Sequence, residues 1–337
     1  MADQAASAAS PQPELPSSGA PPAAAGRRGA ALLVLALAAL GVVAPWIGLY
    51  PVFVMKALCF ALFACAFNLL LGFTGLLSFG HAIFLAAAGY AAAYSLKVWG
   101  FPTELGLLFA MLVSALLGYL IGSLAIRRQG IYFAMVTLAL AQMVYFFFLE
   151  AQFTGGEDGL QGVPRGRVLG AISLENDVTL YYVVLALFIA GLLAIYRIVH
   201  SPFGQVLKAI RENEARALSL GYDVDRYKLL VFVLSAALSG LAGAMKAVVL
   251  GFETLTDATW QMSGEVVLMT LVGGVGTLLG PVIGAFAIVG LQDQLADRVG
   301  SWVQVILGAI FVLCVLAFRR GIVGEISAWL ARGRTRR

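Results

Sequence analysis

Residues 57–96 read ALCFALFACAFNLLLGFTGLLSFGHAIFLAAAGYAAAYSL, and no Asp, Glu, Lys or Arg occurs among them. A helix crosses a bilayer with roughly 20 apolar residues, so this stretch is long enough to cross twice. The whole chain agrees with it: of 337 residues, 61% are hydrophobic and 12% charged. A soluble domain carries about 25% charged residues to solvate its surface. Lipid is therefore the expected solvent. Backbone polar groups in lipid must be satisfied within the chain, so the spanning elements are expected to be helices. The fold class is all-α and polytopic.

Outward from that stretch, further apolar runs cover 30–50, 52–73, 76–96, 105–126, 131–149, 180–198, 229–251, 266–291 and 302–318, which amounts to about 8–10 transmembrane helices. Residues 1–26 are mostly Ala, Pro, Ser and Gly and cannot bury a core, so they read as a disordered tail. Arg27 and Arg28 then precede the first run, which reads as an uncleaved span in preference to a secretory signal, because it is long and Pro45 follows the small-residue site near Ala44. The transmembrane body is 27–320, and 321–337 is a basic tail.

Orientation follows from Lys and Arg in short loops. Arg27, Arg28, Arg127, Arg128, the loop 201–228 and the tail with Arg319, Arg320, Arg332, Arg334, Arg336 and Arg337 are expected to be cytoplasmic, with both termini. The loop 150–179 is expected outside, where Lys97, Arg165 and Arg167 form a minority of bases. Span parity holds as far as Gly251 and then fails, because a single span at 266–291 would put the Arg-rich tail outside. Residues 273–285, GGVGTLLGPVIGA, supply the remedy: Pro281 and the glycines 273, 274, 276, 280 and 284 interrupt the run. A re-entrant pair of half-helices returns the tail to the cytoplasm. A similar break sits at 72–81, GFTGLLSFGH. Gly-broken segments in both halves give the chain inverted-repeat character and point to a transport path at their interface. Close helix packing is the other reading, since Gly276, Gly280 and Gly284 have GxxxG spacing, and the two are compatible.

Ser78, His81, Thr137, Gln142, Gly274 and Gly276 are the candidate path residues. An ionisable His81 in an uncharged segment is a functional position by default; the alternative is a neutral His bonded to a nearby carbonyl. Asn68, Thr137 and Gln142 suit bonds across helices. Lys246, near a span end, reads as snorkelling to the interface, and Glu265 as an anion in a helix first turn.

No catalytic set, metal set or nucleotide motif is expected. Gly274-Val-Gly276-Thr-Leu-Leu-Gly280 lacks the dinucleotide spacing, and no GxxxxGK[ST] occurs. His200 has no nucleophile or ligand set nearby, and Cys59, Cys65 and Cys314 sit in apolar runs as small hydrophobes. A net charge of +4 spread over span ends is no nucleic-acid footprint. The chain is not expected to be an enzyme or to bind a cofactor.

The loop 201–228 breaks the membrane pattern with a charged, helix-prone sequence. Ser201 and Pro202 start a helix and Gly221 stops it. Leu207, Ile210, Ala217 and Leu218 are expected to share an apolar face, which suits a partner's groove or the membrane surface; the mixed charge favours a protein.

Five ordered stretches resemble one family, the M-type permease subunits of branched-chain amino-acid ABC importers: NLLLGFTGLLSFGHAIF (68–84), GIYFAMVTLALAQ (130–142), TGGEDGLQGVPR (154–165), 201–221, and GGVGTLLGPVIGA (273–285). The resemblance spans about 45–320. It implies a bacterial inner-membrane importer with a paralogous permease subunit, two cytoplasmic ATPase subunits that use the ATP, and a periplasmic substrate-binding protein. It also implies ATPase coupling through Arg211, Glu214, Ala215, Arg216 and Gly221. The general importer pattern there begins Glu-Ala-Ala; here Arg216 follows Glu214 and Ala215, and Gly221 falls one position late. Competing readings are a permease for urea or another small polar solute, and an ion-coupled secondary transporter. The latter is expected to bury acids in its spans, where Glu265 alone stands at a boundary. A membrane-embedded enzyme would need a nucleophile–base set.

Overall fold

A computed structural model of the chain describes Gly41, residues 50–302 except 169 and 171, and residues 305, 306, 308–310 and 312. The expected tails 1–26 and 321–337, almost all of the first span, most of the last and Cys314 lie outside the described residues.

Helix α1, Pro51–Thr74, opens on a proline that presets the helical φ. It ends where Gly75 takes φ 79° and its N–H bonds the Leu71 carbonyl. It is apolar all round and buried on every side, which makes it the central post of the bundle. Residues 75–81 are not helical, and α2 runs Ala82–Lys97. The expected span at 76–96 thus loses its first turns. The cause is packing: His81 is held beside Ala66 of α1 through Ser235, eight residues back from Thr74. At 1.5 Å per residue the chain climbs about 12 Å along α1 without forming a helix.

Helices α3 (Thr103–Ala125) and α4 (Ile131–Glu150) form an outer layer. Leu105, Leu108, Leu112, Leu116, Leu120 and Leu124 of α3 are all exposed, a stripe at helical spacing that water would penalise and acyl chains accept. Helix α5 (Asp177–His200) joins the loop 150–179 to the segment 201–228 and so sets them at opposite ends of the bundle. That segment forms α6 (Pro202–Glu212) and α7 (Glu214–Ser219). Helix α8, Val224–Leu250, packs against α1, α2 and α3. Among the described residues, α1, α3, α4, α5 and α8 are the five helices long and apolar enough to cross a membrane, with α2 a shorter apolar helix of 16 residues.

The run 266–291 divides as expected, into α9 (Trp260–Gly273) and α10 (Gly280–Val299). They are antiparallel: Gly273 abuts the Gly280 carbonyl and Gly284 abuts the Met269 carbonyl, approaches that any Cβ would block. Lys56, at the start of α1, pairs with Asp293 of α10 at 3.7 Å. Both outer ends of this hairpin therefore lie toward the 150–179 end. Glu265 sits in the second turn of α9, not the first.

At the 150–179 end, β1 (Leu160–Gln161) pairs antiparallel with β4 (Phe252–Glu253), and β2 (Arg167–Val168) with β3 (Ile172–Ser173). Two of the three minority bases there are used locally. Lys97 Nζ donates to the Gln161 carbonyl at 2.6 Å, and Arg165 pairs with Asp177 at 2.5 Å.

Candidate functional site

The two Gly-broken segments meet each other. Asn68, on α1, donates through Nδ2 to the Thr277 carbonyl at 2.7 Å and accepts the Gly276 N–H through Oδ1 at 2.9 Å. One amide side chain thus satisfies both a donor and an acceptor of the turn between α9 and α10. Gly72 makes the approach possible, because a Cβ there would lie 2.7 Å from the Gly276 nitrogen. Arg211, in the last turn of α6, donates through Nη1 to the Gly72 carbonyl. The segment 201–228 is therefore wired directly to the junction of the breaks.

The other candidate path residues lie elsewhere. Ser78 is buried and accepts the Gly80 N–H at 3.4 Å. Thr137 is buried and bonds within its helix to the Ala134 carbonyl. Gln142 is half-buried on α4, and Gly274 caps α9. His81 is fully buried among Phe63, Phe67, Phe84 and Phe232, with ring centroids 5.2–6.2 Å away. Ser235 spends its proton on the Ala66 carbonyl at 2.5 Å, so its oxygen accepts from His81 Nε2–H at 3.0 Å. Nδ1 is then bare, and it has no partner. Of the two readings of His81, the geometry matches the neutral, bonded one, with a serine in place of a carbonyl.

The expected docking segment is two helices rather than one. Asn213 is extended (φ −159°) and caps α7 by accepting the Arg216 N–H at 3.0 Å. The expected apolar face is divided accordingly. Leu207 and Ile210 are buried in the chain's own core, and Ala217 packs with Ile210 and Val224. Leu218 faces out, with Leu220. Glu214 is also turned inward, bonded to buried Lys228 at 2.7 Å and to Gln129 at 3.0 Å. Arg211, Ala215, Arg216 and Gly221 are exposed.

Sequence reasoning missed a buried charged cluster. Lys246 does not snorkel: it is 3% exposed, paired with Asp257 and 3.5 Å from Glu253. Thr254 donates to Asp257 at 3.2 Å. Glu253 packs onto Gly89 of α2, and its Oε1 is buried without a partner, as is the Tyr90 hydroxyl. Burial holds the Glu253 carboxyl well above the ordinary carboxylate range, and the Lys246 ammonium only partly offsets this. With one ammonium facing two carboxyls, the natural division is a Lys246–Asp257 ion pair and a protonated Glu253. Gly251, at φ 74°, reverses the chain and brings both acids back over Lys246. That reversal was the available signal.

Broken helices, a lipid-facing leucine stripe and polar contacts buried between helices define a polytopic helical membrane protein. Residues 51–315 match the family described as branched-chain amino acid transport system / permease component, and the chain belongs to that family. The family's description is that of a membrane permease component, not of an enzyme. It is 29% identical over 279 residues to the high-affinity branched-chain amino acid transport system permease protein LivM of Salmonella typhimurium, covering 76% of this chain, and 28% identical over 279 residues to that of Escherichia coli. The chain spans 65% of the length of these two relatives. It is also 29% identical over 229 residues to the autoinducer 2 import system permease protein LsrC of Klebsiella pneumoniae (65% of this chain, 63% of that one), and 31% identical over 156 residues to the xylose transport system permease protein XylH of Haemophilus influenzae (44% and 42%). No solved structure matches the chain.

Proposed function

We propose that the chain is one of two membrane permease subunits of an ATP-driven importer for branched-chain amino acids. The paralogous permease completes the path, two ATPase subunits bind the 201–228 face from the cytoplasm, and a periplasmic binding protein delivers substrate at the 150–179 face. The chain then lies in lipid in a bacterial inner membrane with both termini cytoplasmic, and nucleic acid plays no part. The observation that carries the reading is the paired helices α6 and α7. They present Arg216, Leu218 and Leu220 outward while Arg211 bonds the junction of the two broken segments. A device that meets a soluble partner and reaches the broken spans suits a chain with no nucleotide motif of its own. Transport follows by alternating access, since ATP closing the partner dimer favours one state by its difference in affinity.

The names of the LivM relatives support amino acids. Those of LsrC and XylH support a second reading, an importer for another small polar solute. Buried acids no longer distinguish an ion-coupled carrier, because Glu253 and Asp257 are buried here; Lys246 neutralises that cluster in place. The test is uptake into liposomes holding the chain with the permease, ATPases and binding protein encoded beside it. Leucine is expected to accumulate only with ATP inside reach of the ATPases. Accumulation by the chain alone under an ion gradient would overturn the reading, and competition by xylose but not valine would favour the second.

A further inference from the structure

We propose that Arg211 is an internal tether, a positioning residue that carries the position of α6 to both broken segments, and not a side chain that touches the ATPase. The Gly72 carbonyl lies in the last turn of α1, where four carbonyls lack helical partners. Leu76, whose N–H would reach it in a continued helix, bonds Leu70 instead, and Gly75 bonds Leu71. The Arg211 guanidinium fills that vacancy. It also brings a cation to the negative end of the α1 dipole. The same side chain passes closely over both breaks: a Cβ on Gly75 would lie 3.3 Å from Arg211 Cγ, and one on Gly276 3.2 Å from Nη1. Lys208, one turn earlier on α6, stands 5.9 Å from the Phe73 ring and ties the same end of α1. On the far side of the contact, Asn68 clamps Gly276 and Thr277. A push on α6 thus reaches α1 through Gly72 and the α9–α10 turn through Asn68 as a unit. The segment divides its work between side chains: Arg211, exposed as a residue, reaches its guanidinium in to the Gly72 carbonyl and Glu214 turns in to Lys228, while Arg216 and Leu218 stay outward.

This rests on the importer reading, so the experiment has two arms. In the first, the full complex carries Arg211→Ala, Arg211→Lys, Asn68→Ala or the Arg211→Ala/Asn68→Ala pair. ATPase subunits are expected to co-purify at the wild-type ratio while substrate moved per ATP falls at least about tenfold. Lys, which keeps a donor and a charge, is expected to recover part of this. The pair is expected to be no worse than its worse single member, because both act on one linkage. In the second arm the full chain alone, in detergent, is followed by hydrogen exchange. Arg211→Ala is expected to speed exchange at residues 72–81 and 274–279 together, and Arg216→Ala at neither. Loss of ATPase subunits from the Arg211→Ala complex would make Arg211 a docking contact and overturn the tether. So would unchanged exchange at both breaks, or exchange faster at one alone; should the Ala variant misfold, Arg211→Lys is read by the same criteria. A wild-type complex without ATP-driven uptake would sink the importer reading but leave the tether to the exchange result.

Discussion

Glu253 holds a carboxyl with no exposure and one oxygen without a partner. Its folded form keeps a proton that the unfolded chain releases at ordinary carboxylate pH, because burial raises its pKa well above 4.5. The sign follows by linkage. The folded state binds more protons between the two pKa values, so the stabilisation is complete below about pH 4.5 and is lost as pH rises through the folded value. Resistance of the chain to thermal unfolding in detergent is expected to weaken with rising pH above that point, by at most ~1.4 kcal/mol per pH unit for one proton. Glu253→Gln, which mimics the protonated form, is expected to abolish that contribution; an unchanged slope would show that Glu253 is not its source. The residues of this cluster were legible as letters but not as a cluster. Lys246 sits where an apolar run ends, a position that normally reaches water, and the two acids follow in what reads as a loop. Asn68 was legible as an interhelical bond former, yet nothing in its spacing named a partner two hundred residues away.

Among elements, the breaks were the most readable, since glycine and proline interrupt apolar runs visibly. The split at 266–291 agrees with that reading, and so does the loss of helix after Gly75. The division of 201–221 was not anticipated, because Ala-Ile-Arg-Glu-Asn-Glu-Ala has continuous helical character and Asn213 is a modest breaker. Packing decides it. On one straight helix Ile210 and Ala217 would share a face but stand about 10 Å apart along it, and the extended Asn213 lets both close onto Val224. The cap it provides to six-residue α7 is worth about 1 kcal/mol. Asn213→Ala is accordingly expected to speed amide exchange over 214–219 by about fivefold, the same free energy read as local opening. No change there would mean that the Glu214–Lys228 pair alone holds α7 in place.

Taken as one body, the bundle separates two ends. The β1–β4 pairing and the β2–β3 hairpin lie at one, and α6 with α7 at the other. The assigned sidedness is checked with a membrane-impermeant maleimide on right-side-out vesicles. In a Cys314→Ser background, Leu218→Cys is expected to label only after the membrane is opened, and a cysteine replacing exposed Gln152 to label at once. Cys59 and Cys65 are buried and are expected to stay silent. Labelling in the reverse order would invert the topology. Composition and hydropathy were enough to establish a helical membrane protein, the positions of most spans, the breaks and the odd charged segment, because each rests on a local run of residues and on the cost of exposing polar backbone to lipid. Partnership was beyond them. That Arg211 reaches Gly72, that Asn68 clamps Gly276, that Ser235 holds His81 and that Lys246 gathers two acids all depend on which spans pack together. Helix neighbours in lipid are chosen by close fit and satisfied polar groups, which no linear pattern records.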